Sequence, residues 1–288
     1  MQAFLITAYK NQDQLVKLIQ SLNEHALVWV HLDKKSKELS LKELEALHLK
    51  NTHFISKYNI PWGGYTHLLT ILTLFKMALR DERITYLHTI SGQDIRIRPW
   101  SEIEERFAAS QTIYMTCTNS KDLPPKIRQR YQRHIVTSRD THMEGFVKKI
   151  NKYYAKLQKR FHWKWNTIKP FSDVYKGVIW GSMPREAAEY ALSFAKNNPS
   201  FLRNLKHVSL PEEFFFQTIF MMSDYKEQFV PNNLRYTDWT KRNGSKPAIL
   251  DETDFEQIMD SDCIFARKID PVISKELISK IEEQLNGQ

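Results

Sequence analysis

The sequence predicts an α/β protein built on a mostly parallel sheet, and three observations lead there. Short apolar runs alternate with helices of roughly ten residues through the first hundred positions, the pattern of βαβ units. The segments that follow the apolar runs are the polar and glycine-rich ones, where an open parallel sheet holds its ligands. The 288 residues are 42% hydrophobic and 26% charged, enough apolar matter for a sizeable core and too much for a disordered chain.

Each element follows from its local pattern. Residues 3–8 are apolar with few breaks and read as a buried strand. Residues 11–22 carry Leu15, Val16, Leu18, Ile19 and Leu22 at helical spacing. Residues 26–32 give the next strand, and residues 40–47 a short helix opened by Ser40 and Glu43 as a capping box. Residues 53–55 are a weak strand, 67–79 a strongly periodic helix, and 84–90 a strand. Ser101 and Glu104 form a second capping-box pattern that opens a helix running to Phe107. Residues 151–161 are helical, with Tyr154, Leu157 and Phe161 on the apolar side. A strand at 177–181, helices at 184–196 and 209–222, a strand at 233–237, a helix at 253–259, a strand at 264–267 and a helix at 272–285 complete the chain.

Charge is unevenly distributed. The chain holds 42 Lys and Arg against 33 Asp and Glu, a net charge of +9. Residues 121–170 hold 14 Lys and Arg against 3 Asp and Glu, a surplus of 11, so the rest is slightly acidic. A basic segment on a near-neutral body points to an anionic partner: a nucleotide, a phospholipid surface or a nucleic acid. Cys117 and Cys263 make no disulfide framework and lack metal-ligand spacing, the usage of a reducing compartment. No apolar run approaches the roughly 18 residues of a membrane span, and the N-terminus has no basic region of a signal peptide. The expected location is the cytoplasm, with peripheral contact on the inner face of the membrane.

The motifs of nicotinamide, P-loop, zinc-protease and Ser-triad chemistry are absent (no GxGxxG, GxxxxGK[ST], HExxH, CxxC or GxSxG). In Ser209-Leu210-Pro211-Glu212-Glu213, Ser209 as N-cap places Glu212 at N3 of a capping box. Glu213 is then free, above Phe216, Gln217 and Phe220. It is either a general base with a raised pKa or a solvated first-turn glutamate favoured by the helix dipole. Arg267-Lys268 ends a short apolar strand and either grips a diphosphate or is an exposed basic strand end. Pro61-Trp62-Gly63-Gly64-Tyr65 is a rigid loop that allows close backbone approach, with Trp62 or Tyr65 able to stack on a ring, or an ordinary turn with a core aromatic. Asp33 and Asp94, each just after a strand, are candidate nucleotide contacts or loop caps. Trp163, Trp165, Trp180, Tyr236 and Trp239 sit among polar residues and are carbohydrate-platform candidates. Asp260-Ser261-Asp262 has the form of a metal-binding DxD, but it follows a helix near the C-terminus and reads as helix-end polarity.

Six strings in order, HLDKKS at 31–36, PWGGYTHL at 61–68, YLHTISGQDIRIRP at 86–99, SLPEEFFFQTI at 209–219, LRYTDW at 234–239 and IFARKID at 264–270, resemble the core-2/I-branching β-1,6-N-acetylglucosaminyltransferase family, which includes peptide O-xylosyltransferases. The resemblance spans nearly the whole chain and is weakest at 110–175. It implies a GT-A-type fold as one glycosyltransferase domain over 1–288: a nucleotide-binding half at 1–110, a basic variable insert at 111–175 and an acceptor and catalytic half at 176–288. It implies inverting transfer from a UDP-sugar, with N-acetylglucosamine the expected sugar and xylose, glucose or galactose the alternatives, to a hydroxyl of a glycan or lipid-linked saccharide in bacterial surface polysaccharide synthesis. It implies no cofactor and no divalent metal. Glu213 falls on the family's base, and Lys268 with Arg267 on its diphosphate grip, with Arg242 or Lys246 as a further cation. Donor contacts fall on Ala8, Lys10, Asp33, Lys35, Trp62, Gly63 and Asp94, and acceptor contacts on Trp180, Tyr236, Asp238 and Trp239. The basic, aromatic stretch 148–164 has the make-up of an interfacial membrane patch. A nucleic-acid-binding module would explain the charge alone, and leaves the post-strand loops without purpose; no nucleic acid is expected.

Overall fold

The computed structural model describes residues 1–132, 134–135, 146–163, 171 and 173–287. The first half is the alternation read from the sequence: β1 (Gln2–Ala8), α1 (Gln12–Gln20), β2 (Leu27–Leu32), α2 (Leu41–Ala46), β3 (Thr52–Ile55), α3 (Tyr65–Ala78), β4 (Tyr86–Ser91), β5 (Ile95–Arg96), α4 (Trp100–Phe107), β6 (Ile113–Met115) and β7 (Thr118–Asn119). There follow α5 (Pro125–Gln132), α6 (Phe146–Arg160), β8 (Tyr175–Lys176), β9 (Gly181–Pro184), α7 (Arg185–Asn197), α8 (Pro199–Leu205) and α9 (Glu212–Met221). The chain closes with β10 (Phe229–Val230), β11 (Arg235–Thr237), α10 (Phe255–Asp260), β12 (Phe265–Arg267) and α11 (Lys275–Asn286).

Seven strands form one sheet in the order β10-β6-β9-β4-β1-β2-β3. β1 pairs in parallel with both β2 and β4, β2 with β3, and β10 with β6; β9 alone runs antiparallel, between β4 and β6. The expected α/β architecture is therefore present. β1 and β2 are buried along their full length, which is why they read as unbroken apolar runs rather than alternating ones. Alternate residues feed two cores. Ala3 and Leu5 face Leu68, Leu72 and Phe75 of α3 and the phenylalanines of α9, whereas Phe4, Ile6 and Ala8 face Leu15 and Ile19 of α1 and Ile103 of α4. A second sheet, β11-β12-β5, carries a smaller core with α10 and α11.

Several expectations are corrected. The strand expected at 177–181 is β9, displaced to Gly181–Pro184. Residues just before it are tied elsewhere: Gly177 N–H donates to the Glu213 carbonyl (2.9 Å) and Val178 N–H to Thr116 Oγ1 (2.8 Å). The capping box at Ser101 does not form, because the helix already starts at Trp100 with Pro99, at φ −56°, as its N-cap, two residues before Ser101. The one at Ser209 does not form either: α9 begins at Glu212 with Pro211 as N-cap and no side-chain cap. Leu210 is held at a left-handed φ of 57° by donating its N–H to the Gly63 carbonyl (3.0 Å). The expected box of Ser40 and Glu43 is present in half: Ser40 Oγ accepts from Glu43 N–H. Helix α6 begins five residues earlier than expected, and Phe161 is exposed rather than on the apolar side, stacked on Trp163 at 5.5 Å. Trp165, Lys164 and the adjoining basic residues to Lys169 lie outside the described residues.

Candidate active site

The loops that follow β1, β2 and β4 meet at one edge of the sheet, because those three strands are adjacent and parallel. Asp33 N–H donates to the Ala8 carbonyl (2.8 Å), and Ser36 Oγ donates to the Tyr9 carbonyl (2.7 Å). The Asp33 carboxylate is buried and accepts from the N–H groups of Lys35 (3.1 Å) and Ile60 (3.0 Å), so it staples the β2 loop to the segment entering Trp62. His31 supports the same segment: its Nε2 accepts from Lys57 N–H (3.2 Å) and Tyr58 N–H (3.1 Å). Burial pulls the His31 pKa down to about 4, which keeps the ring neutral and that nitrogen an acceptor. Lys35 is exposed, Trp62 is 54% exposed, and Gly63 is buried with a left-handed φ of 67°.

Beyond β4, Asp94 Oδ2 accepts from Ser91 N–H (2.8 Å) and from Ser91 Oγ, and Oδ1 lies 3.6 Å from Nε of Arg267. Arg267, at the end of β12, stacks its guanidinium 4.8 Å above the Trp180 ring. Burial lowers its pKa, with Asp94 working in the opposite direction. Trp180 is thus not an open platform: it is 9% exposed and its face carries Arg267. Lys268 is more open, its Nζ 3.2 Å from Ser245 Oγ. Its pKa is lowered by burial, by Arg267 and by Lys10, whose own Nζ lies 3.8 Å from Asp270. Arg267 and Lys10 thus both work against the charge of Lys268, an arrangement that a bound anion relieves.

The second half of the site is α9. The Gly63–Leu210 hydrogen bond straps its start to the Trp62 loop. Glu212, instead of capping the helix, turns inward, with Oε1 3.3 Å from His67 Nδ1, and His67 meets Trp180 edge-on at 5.6 Å. Contacts therefore run from Arg267 through Trp180 and His67 to the residue beside Glu213. Glu213 is half-buried, and its Oε2 lies 2.8 Å from Nζ of Lys176 and 3.3 Å from Nη1 of Arg130. Burial raises its pKa, opposed by Lys176 and, less strongly, by Arg130.

The other expected residues are placed as follows. Tyr236, on β11, donates its hydroxyl to Gln257 Oε1 (2.9 Å). Asp238 is engaged by Thr240 and Arg242, and Trp239 is 53% exposed. Arg242 is held by Asp238, Asp251 and Asp254, while Lys246 is exposed in the same loop. That loop reaches Lys268, whose carbonyl accepts from Leu250 N–H (2.9 Å). Asp262 of the DxD string is paired with Arg106. Sequence reasoning missed Lys176, Arg130, His67 and the inward role of Glu212. Lys176 is an isolated lysine on a two-residue strand, and Arg130 is one cation among many in the basic segment.

The strand-end loops, the end of β12 and the start of α9 are thus tied together by direct contacts. The Core-2/I-Branching enzyme family model matches residues 2–259, and the chain belongs to that family. Xylosyltransferase oxt of Drosophila melanogaster is 23% identical over 309 residues, covering 99% of this chain and 33% of that protein. Xylosyltransferase 2 of Bos taurus is 24% identical over 301 residues, covering 95% and 32%. The chain thus spans about a third of the length of these relatives. Mouse xyloside xylosyltransferase 1 in its apo form gives a TM-score of 0.38 at 12% identity over 92% of this chain and 97% of that one. The 1–349 portion of S. aureus TarS in complex with UDP-GlcNAc gives 0.31 at 14% identity over 46% and 39%.

Proposed function

We propose that this chain is a GT-A-type glycosyltransferase that moves a sugar from a UDP-sugar to a hydroxyl with inversion. The observation that carries the reading is the placing of Lys10, Arg267 and Lys268 at the strand ends, joined by contacts through Trp180 and His67 to Glu212, the residue beside Glu213. Glu213 takes the proton of the acceptor hydroxyl as its oxygen bonds to the anomeric carbon. The bond from that carbon to the diphosphate oxygen breaks on the opposite face, and UDP departs with the electron pair. Lys268, with Lys10 and Arg267 behind it, meets the growing negative charge as preorganised cations. The Trp62–Gly63 loop and the Asp33 loop shape the donor pocket. The exposed Trp239 and its neighbours Tyr236 and Asp238 form the acceptor side.

N-acetylglucosamine is the donor sugar expected from the family, and the xylosyltransferase names of the curated relatives favour UDP-xylose as a second reading. UDP release from a panel of UDP-sugars, with and without EDTA, tests both points. Release from one donor that persists in EDTA is expected. A strict metal requirement would contradict the role given to the cations, and no release from any UDP-sugar would overturn the reading.

The acceptor is read as a glycan or lipid-linked saccharide near an anionic membrane. Lys149, Lys152, Lys156, Lys159 and Arg160 are exposed along α6 and beyond it Phe161 and Trp163, with no acidic residue from 146 to 163. Such a face suits a bilayer interface. Among the described residues no helix is long and apolar enough to cross a membrane. Sedimentation with phosphatidylglycerol vesicles, reduced when these cations are changed to Gln, is the expected result; equal sedimentation would remove the membrane from the account.

A further inference from the structure

We propose that Lys176 is a positioning residue that holds Glu213 ionised and leaves one carboxylate oxygen for the incoming hydroxyl, a role that rests on the reading of Glu213 as the base. Lys176 Nζ and Arg130 Nη1 both reach Oε2, at 2.8 and 3.3 Å. Among the described residues the two cations share that oxygen, which frees Oε1 to accept from a sugar hydroxyl. The carboxylate is thereby turned as well as charged.

The backbone fixes Lys176 against α9 on both sides. Tyr175 N–H donates to Thr218 Oγ1 (3.1 Å), and Thr218 Oγ1 donates to the Tyr175 carbonyl (3.2 Å). Gly177 N–H donates to the carbonyl of Glu213 itself (2.9 Å). Gly177 has no side chain because a Cβ would run into the Thr116 carbonyl oxygen, so the β8 strand lies flush between α9 and the 116 segment. With side-chain exposures of 17% and 20%, the pair is little screened by water.

The groups that face Glu213 are Lys176 from β8, Arg130 from α5 and Glu212 from its own helix, which itself contacts His67 from α3. Burial and Glu212 favour the protonated acid; Lys176 is the largest influence for the carboxylate and Arg130 a smaller one. A base must be ionised before it can accept a proton, so loss of Lys176 raises the pH needed for activity. The sign is fixed: the acid limb of the rate profile moves up, and the variant loses most at low pH and least at high pH.

The test is Lys176→Met, with Lys176→Gln as the second choice should the first fail to fold and Lys176→Arg as the rescue. Two readouts are taken: the Glu213 titration in protein labelled with 13C in the glutamate carboxyl groups, assigned by the signal lost in Glu213→Gln, and the pH profile of UDP release from UDP-xylose and UDP-GlcNAc. The expected result is an upward move of the Glu213 titration by about one pH unit or more. A matching deficit in UDP release, about tenfold per pH unit of that move, appears below the limb, fades at alkaline pH and is largely absent in Lys176→Arg. An unmoved titration, or an equal deficit at every pH, would overturn the proposal. Full turnover by Glu213→Gln would overturn the base reading instead, and leave the titration result to stand as a fact about the ion pair.

Discussion

Arg267 looks from its sequence like a free cation at a strand end, yet the fold commits much of it to Asp94. The Asp94 side chain is 0% exposed and that of Arg267 is 9% exposed. Asp94→Asn keeps the shape, and its amide oxygen can still accept from Ser91, so the change isolates the charge. Removing one member of a buried pair costs about 3–5 kcal/mol, because the other charge is left uncompensated. The 3.6 Å separation and the Trp180 face below the guanidinium place this site at the low end, about 3 kcal/mol. For a chain of this size that is a fall in Tm of roughly 6–12 °C. Urea and thermal unfolding of Asp94→Asn, Arg267→Met and the double variant measure it. The double variant should be clearly more stable than the sum of the two single losses. A loss below about 0.5 kcal/mol in Asp94→Asn, or strict additivity, would show that the two charges do not depend on each other.

Two further outcomes follow from the loops. The folded-state pKa of His31 lies near 4, below the 6.5 of an ordinary histidine, so its contribution is intact above pH 6.5 and is lost as pH falls from 6.5 toward 4. That loss amounts to about 3 kcal/mol, seen as acid-range destabilisation in urea titrations and absent from His31→Gln; the same slope in the variant would place the titrating group elsewhere. Gly177→Ala forces a Cβ against the backbone of Thr116 and against Gln217 Nε2 (2.8 Å), so unfolding free energy should fall by about 1–3 kcal/mol and UDP release with it; unchanged stability would show that the β8 strand can shift.

The first four strands of the fold are readable because β1, β2 and β4 are buried on both faces and α3 sits between turn-forming loops, so period and burial agree with the final structure. The helix starts at Pro99 and Pro211 are misplaced by capping patterns that local sequence satisfies but tertiary contacts override. At α9 the override is specific: the Gly63 carbonyl captures Leu210, and His67, from a position well over a hundred residues earlier, draws Glu212 inward. Glu213 stands out because a second glutamate with no capping duty precedes an apolar face. Its partners do not, since neither a lone lysine on a two-residue strand nor one arginine in a basic run announces which carboxylate it will meet. Trp180 stands out in the sequence as an aromatic among polar residues but not as the buried support of Arg267, a contact made only where the residue before β9 meets the end of β12.

The proposed reaction turns on one carboxylate, Glu213, removing the acceptor proton. Glu213→Gln keeps shape and burial while removing the base, and steady-state UDP formation from the active donor, paired with a UDP binding titration, measures its effect directly. UDP affinity should be unchanged and turnover lowered by about 10²–10⁴-fold. Turnover close to that of the parent enzyme, with UDP still bound, would contradict it.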